Sequence, residues 1–193
     1  MQPVLLDILN KTTEYFRQKG VPNFRLDAQL LLSHVLKMDR INLYLNYDRP
    51  LTVNELNDLR PLVKRRASRE PLQHIVGETA FRELQLLTDG RALVPRKETE
   101  LILEEVFKAV SDMQNNSHAE ASLSVLDIGT GSGAIFLSLL KEIPGITVFG
   151  VENSREAVDL TIENAEFNHL EYPPENLCLG NLFEPFPDDK SWD

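Results

Sequence analysis

Apolar positions recur at three- and four-residue spacing through most of the first seventy residues, a period that predicts helices. "PVLLDILNKTTEYFRQKG" puts Leu5, Ile8, Leu9, Thr12 and Phe16 on one face and stops at Gly20. "FRLDAQLLLSHVLKM" repeats the pattern, with Leu26, Leu30, Leu31, Val35 and Leu36 as its stripe. A further helix opens at Thr52, and Glu55 three residues on completes the signature of a capping box. Pro61 lies inside that helix and is expected to kink or split it. Helices this short bury their apolar faces on one another, so residues 1–70 read as a small helical bundle.

From Pro71 the texture changes. "QHIVG" and "FRELQLLTDGRALVP" read as short strands, broken by Gly77 and by the Asp89-Gly90 turn signal. The expectation is a β-hairpin over residues 71–95 that links two domains. "KETELILEEVFKAVSDM" returns to helical spacing, with Leu101, Ile102, Val106 and Val110 apolar, and "QNNSHAEAS" reads as a polar surface loop.

Residues 96–193 then alternate in type: strand "SLSVLDI", helix "GAIFLSLLKEI", strand "ITVFGVE", helix "SREAVDLTIENAEFNH", strand "ENLCLGN". This order predicts an α/β domain of parallel strands with right-handed crossovers. Three strands make only the first half of a doubly wound sheet, in which the first strand lies at the centre. Val125, Leu126 and Ile128 would then form a bare apolar edge, an aggregation liability. The expectation is a piece of a longer protein.

Bulk composition narrows the classes. Twenty basic against thirty acidic residues give a net charge of −10, which argues against coating nucleic acid through phosphate neutralisation. "KRRASR" (Lys64, Arg65, Arg66, Arg69) is a local exception, read as a solvated helix face or as a contact with a protein partner or ribosomal RNA. Cys178 is the single cysteine, so no intrachain disulfide forms; it reads as a buried small hydrophobe. His34, His74, His118 and His169 are scattered without ligand spacing, so no metal site is expected. Neither a transmembrane run nor a basic leader is seen, and the expected location is the cytoplasm.

The chemistry concentrates in "DIGTGSG", placed between a strand and a helix, where nucleotides bind. A triphosphate loop needs Gly-Lys-Ser/Thr at its end, and no lysine occurs between Asp127 and Lys141. A dinucleotide fingerprint is G-x-G-x-x-G, whereas Gly129, Gly131 and Gly133 give G-x-G-x-G. Asp127 at the strand tip would also repel a pyrophosphate. A ligand with positive charge and no phosphate suits the loop better. S-adenosylmethionine offers an α-amino group and a sulfonium to Asp127 and a ribose diol to Glu152, at the next strand's end. Asn181 and the Leu182 backbone, after the third strand, suit the adenine edge.

"EPLQHIVGETAF", "LVPRKETELI" and "VLDIGTGSGAI" together resemble the HemK/PrmC family of protein-(glutamine N(5)) methyltransferases, which modify peptide chain release factors. The resemblance runs over essentially the whole chain. It implies a Rossmann-like class I methyltransferase domain preceded by the bundle and hairpin, with S-adenosyl-L-methionine as cofactor. It implies that Asp127, Gly129, Thr130, Gly131, Ser132 and Gly133 contact the methionine end, that Glu152 holds the ribose and that Asn181 and Leu182 border the adenine. Phe81 matches an aromatic near the cofactor, and Pro95, Arg96, Glu98, Thr99 and Glu100 match the loop over the active-site side. The bundle is implied to help grip the release factor.

Lys97 stands where the family has proline, and Asn181 where it has aspartate. The family's catalytic Asn-Pro-Pro-Tyr motif does not occur in the sequence. No residue of this chain is therefore nominated as catalytic, and the 193-residue chain is expected to be inactive. A ribosomal-protein glutamine or adenine N(6) methyltransferase, and a non-catalytic partner-binding fragment, remain as alternatives.

Overall fold

The computed structural model describes residues 2–116 and 123–187. Residues 117–122, most of the expected polar loop, and residues 188–193, with Trp192, lie outside the described part. The chain divides into two compact units, Met1–Val76 and Gly77–Asp193.

The first unit is helical: α1 (Leu5–Gln18), α2 (Phe24–Leu36), α3 (Arg40–Leu45), α4 (Val53–Ala67) and α5 (Leu72–Val76). Along α1 the expected face is the buried one, with Leu5, Leu9, Thr12 and Phe16 turned into the core. On α2 the stripe is shifted. Ala28, Leu31 and Leu32 are buried with Asp27 and Gln29, while Leu26 is exposed. The buried polar residues explain the shift. Asp27 accepts a hydrogen bond from Arg66 Nε at 2.7 Å, and Gln29 bonds both Tyr44 and Arg40. Long-range partners thus recruit polar positions that a hydrophobic count leaves outside.

The capping box forms: Glu55 N–H donates to Thr52 Oγ1 at 3.2 Å, and Thr52 N–H donates to Glu55 Oε2 at 2.8 Å. Helix α4 runs unbroken through Pro61, contrary to a split into two. Proline removes one N–H from the ladder, and packing of Leu59, Leu62 and Val63 into the core holds the turns around it. "QHIVG" is likewise not a strand. It folds as α5, whose Ile75 N–H reaches the Pro71 carbonyl at 3.3 Å and whose side chain joins the bundle core. A short apolar run is ambiguous by period, and the neighbouring helices decide it. The basic run is only partly a solvated face, because Arg66 pairs with buried Asp27 and Arg65 pairs with Glu70.

The second unit opens with an antiparallel hairpin, β1 (Glu78–Phe81) and β2 (Leu84–Leu87), followed by α6 (Lys97–Asn116). Then come β3 (Ser124–Ile128), α7 (Ala134–Glu142), β4 (Thr147–Glu152), α8 (Arg155–Phe167) and β5 (Leu177–Leu179). The three later strands form a parallel sheet in the order β3-β4-β5, with Asp127 opposite Gly150 and Glu152 opposite Leu179. This is the α/β arrangement expected of a partial doubly wound methyltransferase sheet.

The hairpin packs into this unit: Phe81, Leu84 and Leu86 share a core with Leu103, Phe136, Leu137, Leu139 and Val148. Arg82 at its turn makes a two-pronged ion pair with Glu142 on α7, at 2.7 and 2.8 Å. The buried face of α6 is Leu103, Val106, Phe107 and Val110; Leu101, at 63% exposure, and Ile102 point outward. Cys178 is half-buried rather than core. Among the described residues no helix is long and apolar enough to cross a membrane.

Candidate functional site

Strand β3 delivers Asp127 and Ile128 to the sheet's C-terminal edge, and Gly129 to Gly133 turn the chain into α7. The loop is pinned to the neighbouring strand, with Gly129 N–H donating to the Val151 carbonyl at 2.8 Å. Gly133 adopts φ 81°, and a Cβ there would sit 2.9 Å from Thr161 on α8. Both its conformation and its lack of a side chain are therefore required. Gly129 is different: a Cβ would meet nothing within 4 Å, so that face of the loop is open.

Gly133 is the N-cap of α7 and has no side chain to satisfy the first-turn amides. Asp127 does so from the strand, its Oδ2 accepting from Phe136 N–H at 3.1 Å. Asp127 is 9% exposed. Burial pushes its pKa up to about 6, the like charge of Glu152 adds to the rise, and the Phe136 amide opposes it.

Glu152 closes the other side of the loop. Its Oε2 accepts from Gly131 N–H at 3.0 Å, and its Oε1 accepts from Asn153 and Ser154 N–H at 2.8 and 3.0 Å. A carboxylate has about four lone-pair sites, so Oε2 retains one for an incoming hydroxyl. Holding both hydroxyls of a diol requires Gly131 to give up its bond.

A cleft of about 120 Å³ lies over this edge, lined by Ile128, Gly129, Val151, Glu152, Asn153, Gly180, Asn181 and Leu182. Asn181 is exposed and its amide lies 3.4 Å from Glu184. Leu182 has φ 51°, a strained value for a non-glycine residue. Thr130 and Ser132 are buried beneath the loop, and Thr130 Oγ1 has no hydrogen-bond partner among the described residues.

The structure thus gathers Gly129, Glu152, Asn181 and Leu182 at one cleft, with Asp127 behind the loop. Phe81 is elsewhere, 1% exposed in the core and absent from the cleft wall. Pro95 and Arg96 precede α6, and Glu98, Thr99 and Glu100 lie in its first turn rather than in a loop; none lines the cleft. Sequence reasoning missed Thr161 and Asn164. Thr161 Oγ1 donates to the Gly131 carbonyl at 3.0 Å, and Asn164 Nδ2 donates to the Ser132 carbonyl at 2.9 Å. Their signal was polar side chains on the apolar face of α8, beside Ala157, Leu160 and Ala165.

Chemically, the cleft offers acceptors and backbone but, among the described residues that line it, no lysine or arginine. The helix N-terminus, where a phosphate would bind, already holds the Asp127 carboxylate. The residues present fit a cationic ligand with a diol and do not fit a pyrophosphate.

Residues 7–77 match the PrmC N-terminal domain, and residues 97–192 match the methyltransferase small domain. The chain belongs to the HemK/PrmC family. It is 43% identical over 183 residues to the release factor glutamine methyltransferase of Geobacter sulfurreducens, covering 95% of this chain and 60% of that protein. It is 38% identical to the enzyme of the same name from Chlorobaculum tepidum, covering 84% of this chain and 54% of that one. The human MTRF1L release factor glutamine methyltransferase is 33% identical, covering 83% and 48% respectively. The chain therefore spans about half to three-fifths of the length of these relatives.

Proposed function

We propose that the protein takes part in S-adenosylmethionine-dependent methylation of a glutamine side-chain amide in a peptide chain release factor. The observation that carries the cofactor assignment is the Asp127 carboxylate seated on the α7 N-terminus, which bars a phosphate and favours a cation. Family membership and the names of the relatives support the reaction and the substrate.

In this reading the open face of Gly129 admits the methionine end of the cofactor, and Asp127 sets a negative potential behind it. Glu152 accepts from the ribose through its free Oε2 site. Asn181 and the Leu182 backbone border the adenine at the far end of the cleft. The cofactor supplies an electrophilic methyl group when bound; the protein's part is alignment of the acceptor, because an amide nitrogen is a weak nucleophile. The Pro95–Glu100 segment lies toward the substrate, and the helical unit takes part in gripping the release factor.

Calorimetric titration with S-adenosylhomocysteine tests the cofactor site. Saturable binding to the chain that Glu152→Ala weakens by about tenfold is expected, the equivalent of losing hydrogen bonds to a charged acceptor. Binding unaffected by Glu152→Ala overturns the assignment. Transfer of labelled methyl to a release factor by the full-length protein, and its loss when the acceptor glutamine is replaced, tests the reaction.

A further inference from the structure

Helix α8 carries two asparagines one turn apart, and both work on the outer edge of the hairpin. Asn164 Oδ1 accepts from Leu87 N–H at 2.6 Å, and its Nδ2 donates to the Leu87 carbonyl at 3.2 Å. Asn168 repeats the clamp two residues along β2, accepting from Gln85 N–H at 3.1 Å and donating to the Gln85 carbonyl at 2.8 Å. Residues Gln85 and Leu87 point the same backbone groups outward because a strand repeats every two residues. Helical spacing of four residues matches that repeat, so a pair of side-chain amides stands in for a missing neighbouring strand.

The two differ in one respect. Asn164 is fully buried, and the Nδ2 that holds Leu87 also donates to the Ser132 carbonyl at 2.9 Å, inside the glycine loop. Both donors of the amide are then in use, and one side chain joins β2, α8 and the loop. Asn168 has no bond to the loop; its further bond goes to the Asn164 carbonyl. We propose that Asn164 is a positioning residue for the cofactor site, fixing the glycine loop against the hairpin so that the Gly129–Gly133 backbone is preorganised for its ligand. A buried amide engaged on all sides is costly to disturb, and its loss leaves the Ser132 carbonyl without a donor in a region closed to water. The consequence for affinity rests on the proposed cofactor; the consequence for loop order does not.

Asn168 supplies the control. In the ligand-free protein, amide hydrogen exchange at Gly131 and Gly133 reports loop order, since each N–H is bonded within the site, to Glu152 Oε2 and to the Thr130 carbonyl. Asn164→Ala is expected to speed exchange at both by about tenfold and to weaken S-adenosylhomocysteine binding by about tenfold. Asn168→Ala, which removes a hairpin clamp without touching the loop, is expected to change either by less than about twofold. Equal effects of the two variants, or none from Asn164→Ala, overturn the positioning role and reduce both asparagines to hairpin clamps. If Asn164→Ala does not fold, the nearly isosteric Asn164→Asp keeps the acceptor for Leu87 N–H but sets an oxygen against the Ser132 carbonyl. Wild-type exchange in that variant also overturns the role. Altered exchange with no ligand binding by the unmodified chain keeps the positioning role and rejects the cofactor assignment.

Discussion

Asp127 on β3 and Phe136 on α7 are joined by a hydrogen bond of 3.1 Å that spans the glycine loop. The strand's last acidic side chain thereby caps the helix the loop leads into. This one bond explains why the loop tolerates a glycine N-cap, and why a carboxylate stays in a site only 9% exposed. Burial of the same carboxyl makes the site sensitive to pH.

Burial holds the Asp127 pKa at about 6, above its ordinary value of 3.8. The folded protein therefore binds more protons than the unfolded chain between these values, and stability falls as pH rises through that window. Asp127→Asn keeps an acceptor for Phe136 and removes the charge. It is expected to flatten that slope and to stabilise the ligand-free protein at neutral pH by on the order of 2 kcal/mol. Thermal melts from acid to neutral pH check this. A cationic ligand favours the ionised carboxyl, so affinity should fall on acidification through about pH 6 in the wild type and not in the variant.

Adding a methyl group under the loop should be poorly tolerated. Gly150 sits beside Thr130, where a Cβ would lie 2.6 Å from Thr130 Cγ2, and Gly133 combines a 2.9 Å approach to Thr161 with φ 81°. Gly150→Ala and Gly133→Ala are each expected to cost about 1–3 kcal/mol by overpacking, whereas Gly145→Ala, with open space and only its positive φ against it, should cost about 1 kcal/mol. Chemical denaturation of the three variants gives the ranking.

In the helical unit, Asp27 and Arg66 pair at 2.7 Å with side chains only 6% and 13% exposed. Asp27→Ala leaves a buried guanidinium uncompensated and is expected to destabilise by about 3 kcal/mol. Glu14→Ala, which breaks the exposed pair with Arg17, should leave the urea midpoint essentially unchanged. Urea midpoints of both variants make the comparison.

Thr52→Ala removes one half of the capping box and should cost about 1 kcal/mol, while Thr52→Ser should be nearly neutral because the hydroxyl is retained. Helical circular dichroism during thermal melting reads both.

Local rules were enough for much of this protein. The period of α1, the capping residues Thr52 and Glu55, and the strand–loop–helix order around Asp127 are properties of neighbouring residues, and each formed as the sequence predicts. Glu152 reached the second strand's end because strand and helix lengths alone set that register. What failed to show in the sequence depends on partners far along the chain. The α2 face turned to bury Asp27 because Arg66 lies 39 residues away, and "QHIVG" became a helix because the bundle had a place for Ile75. Phe81 packs in the core of the second unit against residues far along the chain. Asn164 offered only an unexpected polar residue on an apolar helix face until folding brought Leu87 and Ser132 to its amide. Periodicity records which residues are apolar, whereas a buried hydrogen bond is specified by where two distant segments of the chain meet, and only the tertiary structure decides that.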